Sequence, residues 1–394
     1  MQPRTSSLIR CIALASLALL AGCQSLNSPQ VSAVTVSTAP ALPTPVAMHE
    51  FTLEPMDDVV GAVQIVRARG EDTLSDIARR FNVGYEEMVS ANPGVDPWLP
   101  QAGTEVVIPT AFVLPDAKRQ GIVINLAAMR LFYFPKTKPG EPQKVVTHPL
   151  GIGRVGWRTP QGNTTIVSKA EAPAWTPTPA IRKEHAADGD PLPKVVPPGP
   201  DNPMGTNVLR LGWPEYAIHG TDKPPSIGLR GTHGCLRLYP EDIVDMYDAV
   251  PVGTPVTVVN QPFLVGWQGD TLVMQTYPVL EEDKRKRHPD QFINLVRKKS
   301  TQGGHGARAN VVVNEALVAE ITKKPRAVAV PISTANLTLG QYLAAALRVE
   351  NELPSNATRD GDTGRQLTAA DGMKQAEAPL YQGRLPGVRD GNVR

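Results

Sequence analysis

The residues best suited to do chemistry lie in two short phrases, Ala217-Ile218-His219-Gly220-Thr221 and Gly231-Thr232-His233-Gly234-Cys235-Leu236-Arg237. The chain has 394 residues and three cysteines. Cys11 and Cys23 sit at the extreme N-terminus, so Cys235 is a lone thiol within the folded part. A thiol without a disulfide partner in its own domain is a nucleophile candidate. Breaking an amide with it takes a thiolate, a base, a group that orients the base, and donors for the oxyanion. His219 can serve as base, since imidazole titrates near neutrality and can hand the proton on to a leaving amine. Gly220 lets backbone approach closely beside it. Thr232, His233 and Gly234 can aim successive N–H groups at a developing oxyanion, and Arg237 is placed to pair with a substrate carboxylate or to steady the loop. The same His219, His233 and Cys235 could be soft metal ligands, but a fourth ligand is not evident and the spacing matches no zinc pattern. No metal or cofactor is expected.

These residues must be held by short strands. Ile122–Leu126 and Met129–Phe134 read as a hairpin, with further strands at 145–147, 165–168, 208–211, 216–218 and 255–259, and with Gly and Pro in almost every gap. One helix stands out after the cysteine, Pro240 to Ala249, with Pro near its first position and Glu241 and Asp242 in its first turn. Mostly short strands with one marked helix suggest a β-sandwich or barrel-like domain. Glu171 to Pro200 is proline-rich and would make poor secondary structure; it reads as a long irregular insertion, a lid or rim rather than core.

Upstream, Val63 to Pro109 shows a strand, a helix with Leu74, Ile77, Ala78 and Phe81 on one face, a second helix over 83–91 and a closing strand over 105–108. Asp72 or Thr73 is the N-cap candidate. Before it, Gln24 to Glu50 has no period and is rich in Ser, Thr, Ala, Val and Pro, a semi-extended tether that could reach on the order of 80 Å. At the N-terminus Arg4 and Arg10 precede an apolar run from Cys11 to Leu20, too short to span a bilayer as a stable helix and closer to a cleaved signal.

Three resemblances follow. Leu20-Ala21-Gly22-Cys23 resembles the bacterial lipobox, which implies that Cys23 is the lipidated first residue of the mature chain; Gln24 beside it resembles lipoproteins sorted to the outer membrane. The Gly-Glu-Asp-Thr-Leu, Ala-Asn-Pro-Gly and Val-Val-Ile-Pro phrases between 70 and 109 resemble a LysM module, implying binding to glycan strands of peptidoglycan. His-Gly-Thr followed by Thr-His-Gly-Cys-Leu-Arg resembles the signature of the YkuD family of L,D-transpeptidases, in the branch found in Gram-negative envelopes; Gly151-Ile-Gly-Arg154, Thr159-Pro-Gln-Gly162 and Asn202-Pro-Met-Gly205 also fit. Thr232 stands where serine is commoner.

The YkuD resemblance implies that Cys235 attacks the carbonyl between diaminopimelate and D-Ala of a tetrapeptide stem. His219 would be base and then acid, and the amides around His233, Gly234 and Cys235 the oxyanion hole. Arg237, Gly220, Thr221, Tyr216 and Trp175 would line the substrate site, Trp175 as part of the lid. The thioester would pass to another diaminopimelate or to a lysine of an envelope lipoprotein, and carbapenems would acylate the cysteine. The expected organisation is thus mainly β: signal peptide 1–22, lipidated Cys23 and linker 23–60, βααβ LysM module 61–110, YkuD-type catalytic domain 119–265, accessory region 266–353 and a disordered tail 354–394.

Composition sets the outer bounds. With 40 Lys+Arg against 38 Asp+Glu the charge is nearly balanced, which disfavours a nucleic-acid partner driven by net charge. The 39 prolines, about twice the usual share, favour loops and a stiff tether over a helical bundle. A non-enzymatic wall-binding lipoprotein, and a carboxypeptidase passing the acyl group to water, are the competing readings. A cysteine peptidase of the NlpC/P60 type would place its nucleophile ahead of its histidine, the reverse of the order here. The histidines outside the motif (His49, His148, His185, His288, His305) are expected to be ordinary surface or loop residues.

Overall fold

The computed structural model describes residues 42, 49–285, 290–301, 308 and 311–352. The signal segment, Cys23, nearly all of the tether, and the tail from 354 onward lie outside the described residues, as do His288 and His305. Among the described residues no helix is long and apolar enough to cross a membrane.

The architecture is mainly β. A curled nine-stranded sheet runs in the order 50–52, 144–149, 130–134, 121–125, 255–259, 162–171, 207–211, 217–219, 236–237. Its long strand, Gly162–Glu171, shifts register between Ile166 and Ser168; the first half pairs with 255–259 and the second with 207–211. Such an irregularity bends a strand and raises its twist. Under the sheet lies one apolar cluster, including Ile124, Leu131, Ile166, Leu209, Ile218, Leu236, Ile243 and Met246. The last two come from helix Pro240–Ala249, which starts where Pro240 and two acids in its first turn suit an N-terminus.

The insertion departs from expectation. It contains a helix, Pro179–Ala187, N-capped by the Thr178 hydroxyl, which accepts the Ile181 N–H at 3.3 Å. The signal was present: Thr-Pro at N-cap and first position, then Ala-Ile-Arg-Lys-Glu-His-Ala-Ala, all tolerant of helix. The surrounding prolines obscured it.

The βααβ unit forms as read, with strands Gln64–Arg67 and Glu105–Ile108 and helices Leu74–Arg80 and Tyr85–Ala91. Thr73 is the cap, and its hydroxyl and the Asp76 carboxylate make a reciprocal capping box. The C-terminal region completes this unit. Leu347–Arg348 adds a third strand in parallel to Gln64–Ile65, and Val349 enters the apolar cluster of Leu74, Ile77, Phe81, Met88 and Val106. Asn351 ties the edge, donating to the Arg67 carbonyl and the Asp72 carboxylate and accepting from Arg80. The hairpin 263–268/271–276 pairs with strand Ala329–Pro331, so it belongs to a second sheet with the C-terminal region. That sheet's cluster takes in helix residues Val296, Leu317 and Ile321.

The βααβ unit is docked firmly against the catalytic sheet. The first amides of helix Tyr85–Ala91, which have no partner inside the helix, donate to the carbonyls of Ile227 and Gly228 at 3.1 and 3.2 Å. Contact is so close that a Cβ on Gly84 would lie 2.9 Å from the Gly228 Cα. Arg130 of the catalytic hairpin and Glu87 of the helix form a fully buried ion pair at 2.7 Å. His148 corrects the expectation of a surface histidine: it is buried on its strand, with Nδ1 3.1 Å from an Asp242 carboxylate oxygen and 3.0 Å from the Asn82 amide, which offset the cost of its burial.

Candidate active site

Strands Ala217–His219 and Leu236–Arg237 run in parallel, with Ile218 opposite Leu236 and His219 opposite Arg237. Side chains alternate along a strand. Ile218 and Leu236 therefore point into the core, while Ala217, His219, Cys235 and Arg237 share the other face. The short phrases seen in the sequence meet because one sheet edge brings two strands, separated by a loop of sixteen residues (220–235), into register.

Cys235 is half-buried beside a small apolar cluster formed by Met204, Val208 and Ala217, to which Trp175 of the insertion also contributes. Its Sγ lies 3.5 Å from the Glu215 carbonyl. Burial pushes the thiol up; the Ala217 N–H and the nearby Arg237 and Arg210 guanidinium groups pull the other way. At rest the group is a thiol, so a base is needed at the moment of attack.

His219 is the available base. It is buried, and its Nδ1 donates to the Gly220 carbonyl at 2.7 Å. That contact fixes the tautomer with Nε2 as the free acceptor. Burial, followed by the Arg237 charge, lowers its pKa to about 3, against the opposing pull of the Gly220 and Met204 carbonyls. The imidazole is thus neutral at every physiological pH. No direct Sγ–imidazole hydrogen bond occurs among the described residues, and such contacts often tighten only when substrate is bound. Backbone packing holds the His219 turn: a Cβ on Gly205, whose φ is +65°, would come within 2.8 Å of Gly220.

The nucleophile loop is braced from within. The Thr232 hydroxyl donates to the Cys235 carbonyl at 2.6 Å and accepts the Gly234 N–H at 3.1 Å. The Gly234 amide is therefore engaged inside the loop, contrary to the expectation that it faces an oxyanion. Thr159, from one of the matching phrases, donates to the Gly234 carbonyl at 2.8 Å. Gly234 has φ +104°, and a Cβ there would meet Tyr216 Cε1 at 2.8 Å; glycine is required so that the Tyr216 ring can lie against the loop.

Of the other anticipated residues, Trp175 and Tyr216 border the thiol, and Arg237 lies on its face of the sheet. Thr221 is buried and its hydroxyl accepts the Lys223 N–H at 3.0 Å, bracing the turn after His219. His233 points to Arg154 and Glu184 instead of toward His219: its Nε2 is 3.1 Å from an Arg154 nitrogen and 3.3 Å from Glu184 Oε2. Trp157 packs against its ring at 4.8 Å, and His185 lies 5.9 Å away. Arg154, Trp157, Glu184 and His185 were not anticipated as site residues. Arg154 ends the Gly151–Arg154 phrase, but nothing local in the sequence pairs it with a helix 30 residues further on. Among the described residues no group of three or more His, Cys, Asp or Glu could hold a metal ion.

A buried neutral imidazole and a thiol on one face of a parallel strand pair are the parts that cysteine acyl-transfer chemistry requires. The model of the L,D-transpeptidase catalytic domain, YkuD, matches residues 119–258, and that of the LysM domain matches residues 69–109. The probable L,D-transpeptidase YbiS of Escherichia coli K12 is 40% identical over 265 residues, covering 66% of this chain and 85% of YbiS. The probable L,D-transpeptidase ErfK/SrfK of the same organism is 46% identical over 190 residues, or 48% of this chain; the chain spans only 60% of that relative's length. A solved catalytic domain of the E. faecium L,D-transpeptidase is 21% identical, covers 36% of this chain and 99% of that domain, and has a TM-score of 0.27. The chain belongs to the YkuD L,D-transpeptidase family and carries a LysM domain.

Proposed function

We propose that the chain is a peptidoglycan L,D-transpeptidase in which Cys235 is the nucleophile and His219 the proton shuttle. The placement of the two side chains on one face of the 217–219/236–237 strand pair carries this reading. In the first half-reaction the Cys235 Sγ bonds to the carbonyl carbon between diaminopimelate and D-Ala, and its proton passes to His219 Nε2. The C–N bond then breaks, and the imidazolium returns the proton to the departing D-Ala amine. An acceptor amine next attacks the thioester and gives a proton to His219; the C–S bond breaks, and the imidazolium returns that proton to the departing Cys235 sulfur. His219 suits both halves because Gly220 keeps its Nδ1–H in place. Although burial makes it a weak base at rest, negative charge growing on the sulfur favours its protonated form at that instant. The oxyanion role falls to the backbone amides of His233 and Cys235, since that of Gly234 is engaged by Thr232.

The LysM domain supports a site of action on the wall, with glycan strands and stem peptides as ligands. A lipid on Cys23, an outer-membrane anchor, an envelope lipoprotein as acceptor and acylation by carbapenems complete the proposal; the Leu-Ala-Gly-Cys phrase and the family support them. The direct test is Cys235→Ala and Cys235→Ser with a tetrapeptide stem as donor. Both variants should keep the wild-type melting temperature and lose D-Ala release by at least about a thousandfold. Wild-type protein without acceptor should gain the mass of the acyl group on Cys235. Unchanged D-Ala release in Cys235→Ala would sink the enzyme reading and leave a wall-binding protein.

A further inference from the structure

Helix Pro179–Ala187 of the insertion is held over the nucleophile loop by very little. Of its nine residues Ile181 alone is buried. Its visible fastening is Glu184, whose two carboxylate oxygens engage the Arg154 guanidinium and the His233 ring, with the His185 ring lying 5.9 Å from that of His233. The other end of the fastening is rigid. The Arg154 N–H donates to the Thr232 carbonyl at 3.0 Å, and the strand before it, Ile152–Gly153, pairs in parallel with Arg230–Thr232. A Cβ on Gly153 would lie 3.1 Å from the Gly234 Cα. The Arg154 backbone is thereby fixed against the loop that carries Cys235, and one guanidinium nitrogen, Nη2, meets both the Glu184 carboxylate of a weakly held helix and the His233 ring. The side chains are partly open to solvent, 14% for Arg154 and 22% for Glu184, so another carboxylate can reach the guanidinium.

We propose that Arg154 is a substrate-binding residue, that it receives one of the two acyl-donor carboxylates flanking the scissile bond, that of the diaminopimelate side chain or of the D-Ala terminus, and that Glu184 occupies this place when the donor is absent. The inference rests on the transpeptidase reading for the identity of the donor. It makes the lid selective: the helix is released by an acidic peptide that exchanges with Glu184 on Arg154. Arginine fits the role because its planar fork pairs with a carboxylate through two parallel N–H donors, which lysine cannot do. His233 completes the cradle. With its pKa lowered to about 4 by burial and the neighbouring Arg154, it stays neutral near pH 7 and adds no charge of its own.

The test is kept independent of turnover by measuring binding calorimetrically in the Cys235→Ala background. The ligands are a diaminopimelate–D-Ala tetrapeptide, the same peptide amidated on the diaminopimelate side-chain carboxyl, and the same peptide amidated at the D-Ala terminus. Arg154→Gln should weaken the free-acid peptide about 10- to 100-fold, the range of a charge-assisted hydrogen-bonded pair. It should leave one of the two amides within about threefold, and that amide identifies the carboxylate received. Arg154→Lys should fall between. Glu184→Gln should tighten the free-acid peptide about 3- to 10-fold, because the internal competitor is gone. Equal weakening of all three ligands by Arg154→Gln, or no tightening by Glu184→Gln, overturns the proposal. Melting temperatures of each variant separate misfolding from lost contact. Lack of D-Ala release by the wild type would count against the transpeptidase reading alone, since these binding differences do not require catalysis.

Discussion

Replacing Arg130 by Met should cost the folded protein about 3–5 kcal/mol, because it strands a buried carboxylate. The Arg130 side chain is 0% exposed and that of Glu87 4%, and they meet at 2.7 Å across the junction between the catalytic sheet and the LysM unit. Arg130 also donates to the Asn82 carbonyl at 3.1 Å and stacks 4.0 Å from the Phe112 ring centroid. Met keeps much of the volume and contact with the ring but supplies no charge. Urea unfolding should show the loss directly, and in a thermal melt it should amount to roughly 6–15 °C for a folded unit of this size. The double variant Glu87→Met/Arg130→Met removes both charges and should be less destabilised than the sum of the single variants by about 2 kcal/mol or more. A pH arm tests the cause. Burial pushes the Glu87 carboxyl up, and Arg130 pulls it back. Without Arg130 it rises further, so the folded state of the variant binds a proton more readily than the unfolded chain does. Its deficit should therefore shrink as pH falls from 8 toward 5. A cost under about 1 kcal/mol, or additivity of the two single variants, would refute the view that this pair fixes the module to the enzyme.

Three further outcomes follow from the same geometry. His219, with a pKa of about 3 in the fold against an ordinary 6.5, binds its proton more readily when unfolded. Its contribution is complete above pH 6.5 and is lost as pH falls toward 3, amounting to about 3 kcal/mol by pH 4.5; His219→Gln should remove that component of the acid sensitivity in urea titrations. Gly234→Ala should lower D-Ala release about a hundredfold or more at near-wild-type affinity for glycan, since its Cβ would drive Tyr216 off the nucleophile loop. Val349→Ala should cost about 2 kcal/mol and increase hydrogen exchange in strands Gln64–Arg67 and Glu105–Ile108, because Val349 fills the LysM core from the far end of the chain.

Sequence alone determined what is local. The LysM unit follows from a 3.6-residue apolar period with a Thr73 cap, and helix Pro240–Ala249 from a proline followed by acids. The candidate pair Cys235 and His219 is read from a lone thiol and a histidine followed by glycine. These depend on neighbours within a few residues, where residue type and spacing speak directly. Tertiary structure decided the rest. The pairing of 217–219 with 236–237, the dual use of strand 162–171 and the buried Arg130–Glu87 contact all join residues far apart in the chain. So does the return of Val349 to a core begun some 280 residues earlier. Arg154, Glu184 and His233 each have an ordinary reading as charged or polar loop residues; only their convergence gives them a common chemistry. Three glycines, Gly84, Gly228 and Gly234, likewise look like flexible punctuation in the sequence. The folded chain shows that each is fixed by the atom a side chain would strike, and that atom lies in another element. Long-range contact carries no periodic signature, so what it decides here, the set of the lid and the docking of the module, is read only from the fold.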